Sequence, residues 1–285
     1  MTSAKIICVA NRKGGVGKTT LLLCLAKTLT AEYGKRVCVI DTDAQGSATA
    51  SLVPDAETLL ANLFLEETLE HASLSKRTSL DKVRREQVNR IINRPDVPLS
   101  LVPCSPNLWK LEDRMRSGKV LQPNPSRRVQ TTFNKLLQLL KPHYDYVLID
   151  TPPGRGLLSD IVTKTADLIL VPSNPTKLSV WGLDIFVDEL RKLKALPKAR
   201  LVWTLYLDNQ NWRDFAIAYE KASELLPLER TADSTDHFKR LAGIERGAVE
   251  HEPKMFRETF GEQGAQILSE LAQRVITATE RADAR

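Results

Sequence analysis

Six short apolar runs separated by longer helical patterns constrain this chain more than any other feature. "KIICVA" opens the series, and "RVCVID", "PLSLVP", "YDYVLID", "DLILVP" and "ARLVWTLYLD" continue it, each rich in Val, Ile, Leu or aromatic residues and bounded by Pro or Asp. Strands apolar at nearly every position must be covered on both faces, and the intervening helices supply the cover. The pattern predicts an α/β fold: a single doubly wound, mostly parallel sheet with helices on both faces. With 285 residues, 42% of them hydrophobic, the chain can bury one large core, and residues 1–285 read as one domain.

The helical segments carry the matching period. "TTLLLCLAKTLTAEY" predicts a helix closed near Gly34. In "RDFAIAYEKASELL" the residues Phe215, Ala218, Tyr219, Ala222, Leu225 and Leu226 form one stripe, as do Ile267, Leu268, Leu271 and Val275 in the last helix. Residues 66–98 differ. They are strongly charged, with Leu80, Val83, Val88 and Ile91 marking a partly amphipathic helix, and predict a surface excursion between strands.

No run reaches the roughly 18 apolar residues of a membrane span, and no basic leader precedes an apolar segment. Cys8, Cys24, Cys38 and Cys104 are widely spaced, three of them inside apolar runs, which predicts reduced, buried thiols and a cytoplasmic protein rather than a metal site. A formal charge of +6 is compatible with a polyanionic partner and decides nothing alone.

Chemistry concentrates in "NRKGGVGKTT", residues 11–20, between the first strand and the first helix. Unpaired N–H groups at a helix start bind anions, and Gly14, Gly15 and Gly17 let the backbone wrap a β-phosphate closely. Lys18 supplies a mobile charge to the β- and γ-phosphates, and the Thr19 hydroxyl is placed for Mg²⁺. The segment Lys13, Gly14, Gly15, Val16, Gly17, Lys18, Thr19 and Thr20 is the candidate ATP site. It departs from the usual G-x-x-x-x-G-K-[ST] pattern, because Arg12 stands where the first glycine belongs.

That departure resembles the ParA/MinD family of P-loop ATPases, closest to ParA-type partition ATPases without an N-terminal helix-turn-helix domain, since only ten residues precede the loop. The family's signature lysine lies at Lys13, and the resemblance implies that it reaches across an ATP-bound homodimer to the partner's phosphates, much as an arginine finger does. Two strand ends carry acids. "VCVIDTDAQGSAT" resembles the family's D-x-D-P-Q-G-N motif and "YDYVLIDTPPG" its D-x-P-P motif. By resemblance Asp41 orients the attacking water, Asp43 supports the metal's hydration shell, Asp150 holds Mg²⁺ through a water, and "TPPGRG" senses the γ-phosphate. Ala44 and Ser47 replace the family's usual proline and asparagine, which predicts a looser loop. "ADLILVPSNPTKLSVWGL" continues the match near the adenine side.

The resemblance leaves three outputs open. ParA-type proteins bind nonspecific double-stranded DNA as ATP dimers, and a ParB-like or other adaptor protein stimulates their slow hydrolysis; MinD-type proteins bind membrane through a C-terminal amphipathic helix; metabolic relatives phosphorylate a small substrate. The last helix has Glu270, Gln273, Arg274 and Glu280 on its polar face and lacks an anchor's aromatics and lysine face, so no membrane is expected. Arg213, Lys239 and Arg240 are the candidate DNA contacts, with Lys192, Lys194, Lys198 and Arg200 as a second basic cluster. The expectation is a nucleoid-associated ATPase that partitions plasmid or chromosomal DNA or positions another cargo.

Overall fold

The computed structural model describes residues 3–53, 99–104, 107–110, 113, 125–174, 176–206, 220, 237–239, 247–249 and 256–283. The charged stretch 66–98 and the segment 213–219 lie outside the described residues. In chain order the elements are β1 (Lys5–Val9), α1 (Lys18–Ala31), β2 (Val37–Asp41), α2 (Ser47–Leu52), β3 (Leu99–Val102), α3 (Pro125–Leu140), β4 (Tyr146–Asp150), α4 (Leu157–Thr165), β5 (Leu168–Ser173), α5 (Lys177–Lys192), β6 (Ala199–Tyr206), β7 (His237–Lys239) and α6 (Phe256–Asp283). All six expected strands form. The strand the sequence reading missed is β7, three residues at the sheet edge.

The seven-stranded sheet runs β3-β2-β4-β1-β5-β6-β7, and every pairing is parallel. The chain moves outward on one side of β1 and then on the other, so the strand order reverses beside β1. In such sheets the crevice at the carboxyl ends of the central strands is where ligands bind. The register aligns Val9 and Asp41 with Asp150, which sets three strand ends side by side at that crevice.

Alternation along the central strands builds two cores. Ile6, Cys8, Cys38, Ile40, Val147 and Ile149 face α3, α4 and α5, while Ile7, Val9, Val37, Val39 and Leu148 face α1 and α6. Helix α1 is buried almost all round, Leu21 through Ala26 and Leu29 included, because α6 covers the side that the sheet leaves open. In α6, Leu268 and Val275 are buried and Ile267 and Leu271 pack partly against the same core, so the predicted stripe is inward-facing. Helix α6 is interrupted at Gly261, where φ is 72°. No helix among the described residues is long and apolar enough to cross a membrane.

Candidate active site

The turn between β1 and α1 is held open by its glycines. Gly15 and Gly17 take φ of 70° and 80°, a region that favours glycine, and Gly17 is the N-cap of α1 with no side-chain cap. The first N–H groups of α1 therefore point outward without an intrahelical partner. Buried polar side chains brace the turn from behind: Asn11 Oδ1 accepts from Lys13 N–H at 2.9 Å, Asn11 Nδ2 donates to Pro172 O at 2.7 Å, and the Thr204 hydroxyl donates to Val16 O at 2.7 Å. A cavity of about 440 Å³ opens in front of the turn, lined by Gly14, Gly17, Lys18, Thr19, Asp43 and Pro153 among others.

The two lysines of the turn are oriented differently. Lys18 lies within the site, its Nζ donating to Lys13 O at 3.1 Å, and burial lowers its pKa against the opposing pull of Asp150 and Asp43. Lys13 Nζ instead donates to Ser179 Oγ at 2.7 Å, in the first turn of α5, where Thr176 is the N-cap.

The acids at the strand ends also separate. Asp41 is fully buried and accepts three hydrogen bonds, from Asp43 N–H at 3.0 Å and from the N–H and hydroxyl of Thr49, both at 2.8 Å. Burial raises its pKa against those bonds. Asp150 is equally buried but accepts one side-chain bond on Oδ2, from the Thr19 hydroxyl at 2.7 Å, while Oδ1 has no hydrogen-bond partner. Burial, reinforced by the charge of Asp41 and opposed by Thr19, pushes the Asp150 carboxyl up to about 8. Asp43 lines the cavity, and its Oδ1 accepts from Gln45 N–H at 2.9 Å, so it is both a turn residue and a cavity wall.

A phosphate-wrapping turn, an inward lysine, a helix-start hydroxyl and a strand-end acid touching it define a P-loop nucleotide site. Residues 4–202 match the family described as an AAA domain. The chain belongs to the ParA/MinD-like P-loop ATPases. An uncharacterised Mycobacterium tuberculosis protein is 33% identical over 192 residues, an alignment that takes in 67% of this chain and 53% of that protein. The chain thus spans about half that relative's length. The sporulation initiation inhibitor protein Soj of Bacillus subtilis is 30% identical over 190 residues, 66% of this chain and 65% of Soj. Among solved structures, a complex of a Cyanothece McdA variant with ATP superposes with a TM-score of 0.70 at 19% identity, covering 97% of this chain and 98% of that one. The pNOB8 ParA bound to nonspecific DNA gives 0.67 at 20% identity over 98% and 99%, and a Mycobacterium smegmatis cobyrinic acid a,c-diamide synthase with ADP and magnesium gives 0.67 at 22% identity over 96% and 94%. At these identities the superpositions establish the shared fold.

In this ParA/MinD-like site, Gly14, Gly15, Gly17, Lys18, Thr19, Thr20 and Asp43 line one cavity; Asp150 stands behind Thr19, whose hydroxyl donates to it, Asp41 and the buried Val16 do not line the cavity, and Lys13 Nζ rests on its own chain. The loop after Asp41 is tied by its three bonds and by Gly46 N–H donating to Asp43 O at 2.7 Å, and Ala44 packs against the core. Sequence reasoning passed over Thr49, Ser179, Asn11 and Thr204, lone polar residues with no motif of their own. It also missed Ala248 and Val249, which line the cavity from the C-terminal third, next to Gly247, whose carbonyl accepts from Lys27 Nζ at 2.7 Å. Arg213 and Arg240 lie outside the described residues, and Lys239 is placed only by its backbone, on the edge strand β7. In the second basic cluster, Lys192 and Lys194 are exposed at the end of α5, whereas Lys198 Nζ donates to Ala166 O at 2.9 Å beside the end of α4 and Arg200 Nη1 to Ala199 O at 2.9 Å.

Proposed function

We propose that this ParA-like ATPase forms an ATP-sandwiched homodimer, binds nonspecific double-stranded DNA in that state, and is reset when an adaptor protein stimulates hydrolysis, so that it partitions DNA or positions another cargo. The observation that carries the reading is the pair of lysines on one phosphate turn. Lys18 is committed to the site, while Lys13 is held by a single hydroxyl at the rim. A partner's phosphate can draw Lys13 off Ser179, which makes its charge available in trans and links turnover to dimerisation.

Placement in the fold supports a role for each residue. The outward N–H groups of residues 15–20 and the Lys18 ammonium hold the β- and γ-phosphates. The donors present suit Mg²⁺, a hard cation that takes oxygen ligands and keeps several waters: the Thr19 hydroxyl, the unpaired Asp150 Oδ1 and Asp43 at the cavity wall would hold it. When bound, it would neutralise phosphate charge and orient the γ-phosphoryl group. Asp41 keeps lone-pair capacity beyond its three bonds, and movement of loop 42–49 would bring it to the attacking water.

Fluorescence anisotropy of a random-sequence duplex with ATP, ADP or no nucleotide tests the output. Tight binding with ATP alone, falling steeply with salt, is expected. Absence of DNA binding in every state, with ATP still hydrolysed, would sink the DNA reading and favour a membrane or small-molecule output. Lys18→Ala tests the site itself, and intact turnover would refute the assignment. Mixing Lys13→Ala with Asp41→Ala protein, each inactive alone, should restore part of the activity if the two residues serve one composite site from different subunits.

A further inference from the structure

Arg12 occupies the position where the usual phosphate loop has its first glycine, and its side chain turns away from the phosphate turn into the seam between α4 and α5. There it is largely buried, at 15% exposure. Its Nη2 donates to Asp160 Oδ1 on α4 at 3.1 Å, its Nε pairs with Glu189 on α5, and its guanidinium lies 5.4 Å from the centre of the Phe186 ring. The remaining arm reaches the opposite wall of the site. Nη1 donates to Gly154 O at 2.7 Å, while Gly154 N–H donates back to the Arg12 carbonyl at 2.9 Å. One residue thus grips both sides of Gly154, which sits at φ 78° in the loop after β4.

The two loops also abut directly. A Cβ built on Gly14 would lie 3.9 Å from Pro153 Cβ. Pro153, next to Gly154, lines the same cavity as Gly14, Gly15 and Lys18; a β-phosphate held by Gly15–Thr20 would depend on the turn alone, whereas a γ-phosphate projecting beyond it would face Pro153. We propose that Arg12 is a positioning residue which fixes the Gly154 loop to the phosphate turn, and that recognition and turnover of a nucleoside triphosphate, but not binding of the diphosphate, depend on this clamp. The proposal rests on the nucleotide reading above. It separates Arg12 from a simple staple, because a staple would alter both nucleotides alike. A fork with several donors is needed: Asp160, Glu189 and Gly154 O lie in different directions, and a lysine's point charge cannot hold all three. Arg155, whose Nε lies 3.7 Å from Asp160 Oδ2, is 67% exposed and cannot replace it.

The test compares wild type, Arg12→Gln, Arg12→Lys and Glu189→Gln by calorimetric titration with ADP and with a non-hydrolysable ATP analogue, together with kcat and KM for ATP and the melting temperature. For Arg12→Gln, analogue binding should weaken and kcat fall by roughly tenfold to a hundredfold, the cost of a small misplacement at a reacting centre, while ADP affinity holds within about twofold. Arg12→Lys should recover part of the loss. Glu189→Gln, which removes one anchor and leaves the loop sequence intact, should show the same ATP-selective pattern at smaller size, and it carries the test should Arg12→Gln fail to fold. Equal weakening of both nucleotides, or a lower melting temperature with unchanged ATP-to-ADP preference and kcat, would overturn the proposal. A wild-type protein that binds neither nucleotide would refute the underlying site assignment instead, and the wild-type titration alone reveals it.

Discussion

Asp41 and Asp150 sit opposite each other in register at the ends of neighbouring strands, both completely buried, and yet they do different work. Asp41 accepts three hydrogen bonds and ties the loop 42–49 to the strand end. Asp150 accepts one from a side chain and leaves an oxygen unpaired in the interior. A buried carboxylate supplied with several donors can anchor a loop and keep an acceptor site to spare, whereas one with a bare oxygen costs free energy unless a ligand completes it. Position in the fold is shared, and the supply of donors sets the division of labour.

The sharpest separation is in turnover. Asp41→Ala should lower kcat by at least about a hundredfold through loss of the water-orienting group, and Asp150→Asn should do so through weakened metal support. Steady-state phosphate release measures both, and near-wild-type turnover in either variant would remove that residue from the machinery. Stability then divides the pair. Asp41→Ala strands the buried N–H groups of Asp43 and Thr49 and should cost about 3 kcal/mol in denaturant unfolding without nucleotide. Asp150→Asn keeps an acceptor for Thr19 and replaces a carboxyl that already carries its proton in the folded state, so below about pH 4, where the unfolded chain keeps that proton too, unfolding should shift by less than about 1 kcal/mol. Equal losses in the two variants would erase the distinction.

The pH dependence of the unliganded protein sharpens it further. Asp150 holds its proton up to about 8 in the folded state, against a value of 3.8 without the fold. Between those values the unfolded chain binds fewer protons than the folded one, so this group's contribution makes stability fall as pH rises through the window, and the loss is complete above the folded value. Urea titrations between pH 5 and pH 8 should show that decline, and Asp150→Asn should flatten it. An unchanged slope would mean that Asp150 is already ionised in the folded protein.

The sequence carried the scaffold and the phosphate turn because those rest on local patterns. Six strands announce themselves as apolar runs, and the glycines and Lys18-Thr19 fall between the first run and its helix. β7 escaped notice because "HFK" offers three residues and no period. Thr49 was invisible as the anchor of Asp41, since eight positions of loop and helix separate them and nothing in "GSATASL" marks one hydroxyl over another. Arg12 was legible as a break in the motif, but its partners Gly154, Asp160 and Glu189 come together only through the sheet topology. Local chemistry reads from the chain; satisfaction of buried polar groups is a tertiary property.

The hydroxyls that serve the two acids divide in the same way, each through a single bond. Thr49→Val removes a donor to Asp41 Oδ2 and the acceptor for Cys104 N–H, which it holds at 3.2 Å, while the Thr49 backbone N–H still reaches the carboxylate. The cost should be about 1.5 kcal/mol, smaller than that of Asp41→Ala because one anchor survives. Thr19→Val removes the side-chain donor to Asp150. Loss of a bond that favours the ionised carboxyl lets the Asp150 pKa rise further, so the acid stays neutral and the fold barely registers the change. Nucleotide turnover should fall sharply in Thr19→Val and mildly in Thr49→Val, the reverse of their order in stability. Parallel changes in both quantities would show that the two hydroxyls support one continuous network, and that the anchor and the bare oxygen are coupled rather than separate devices.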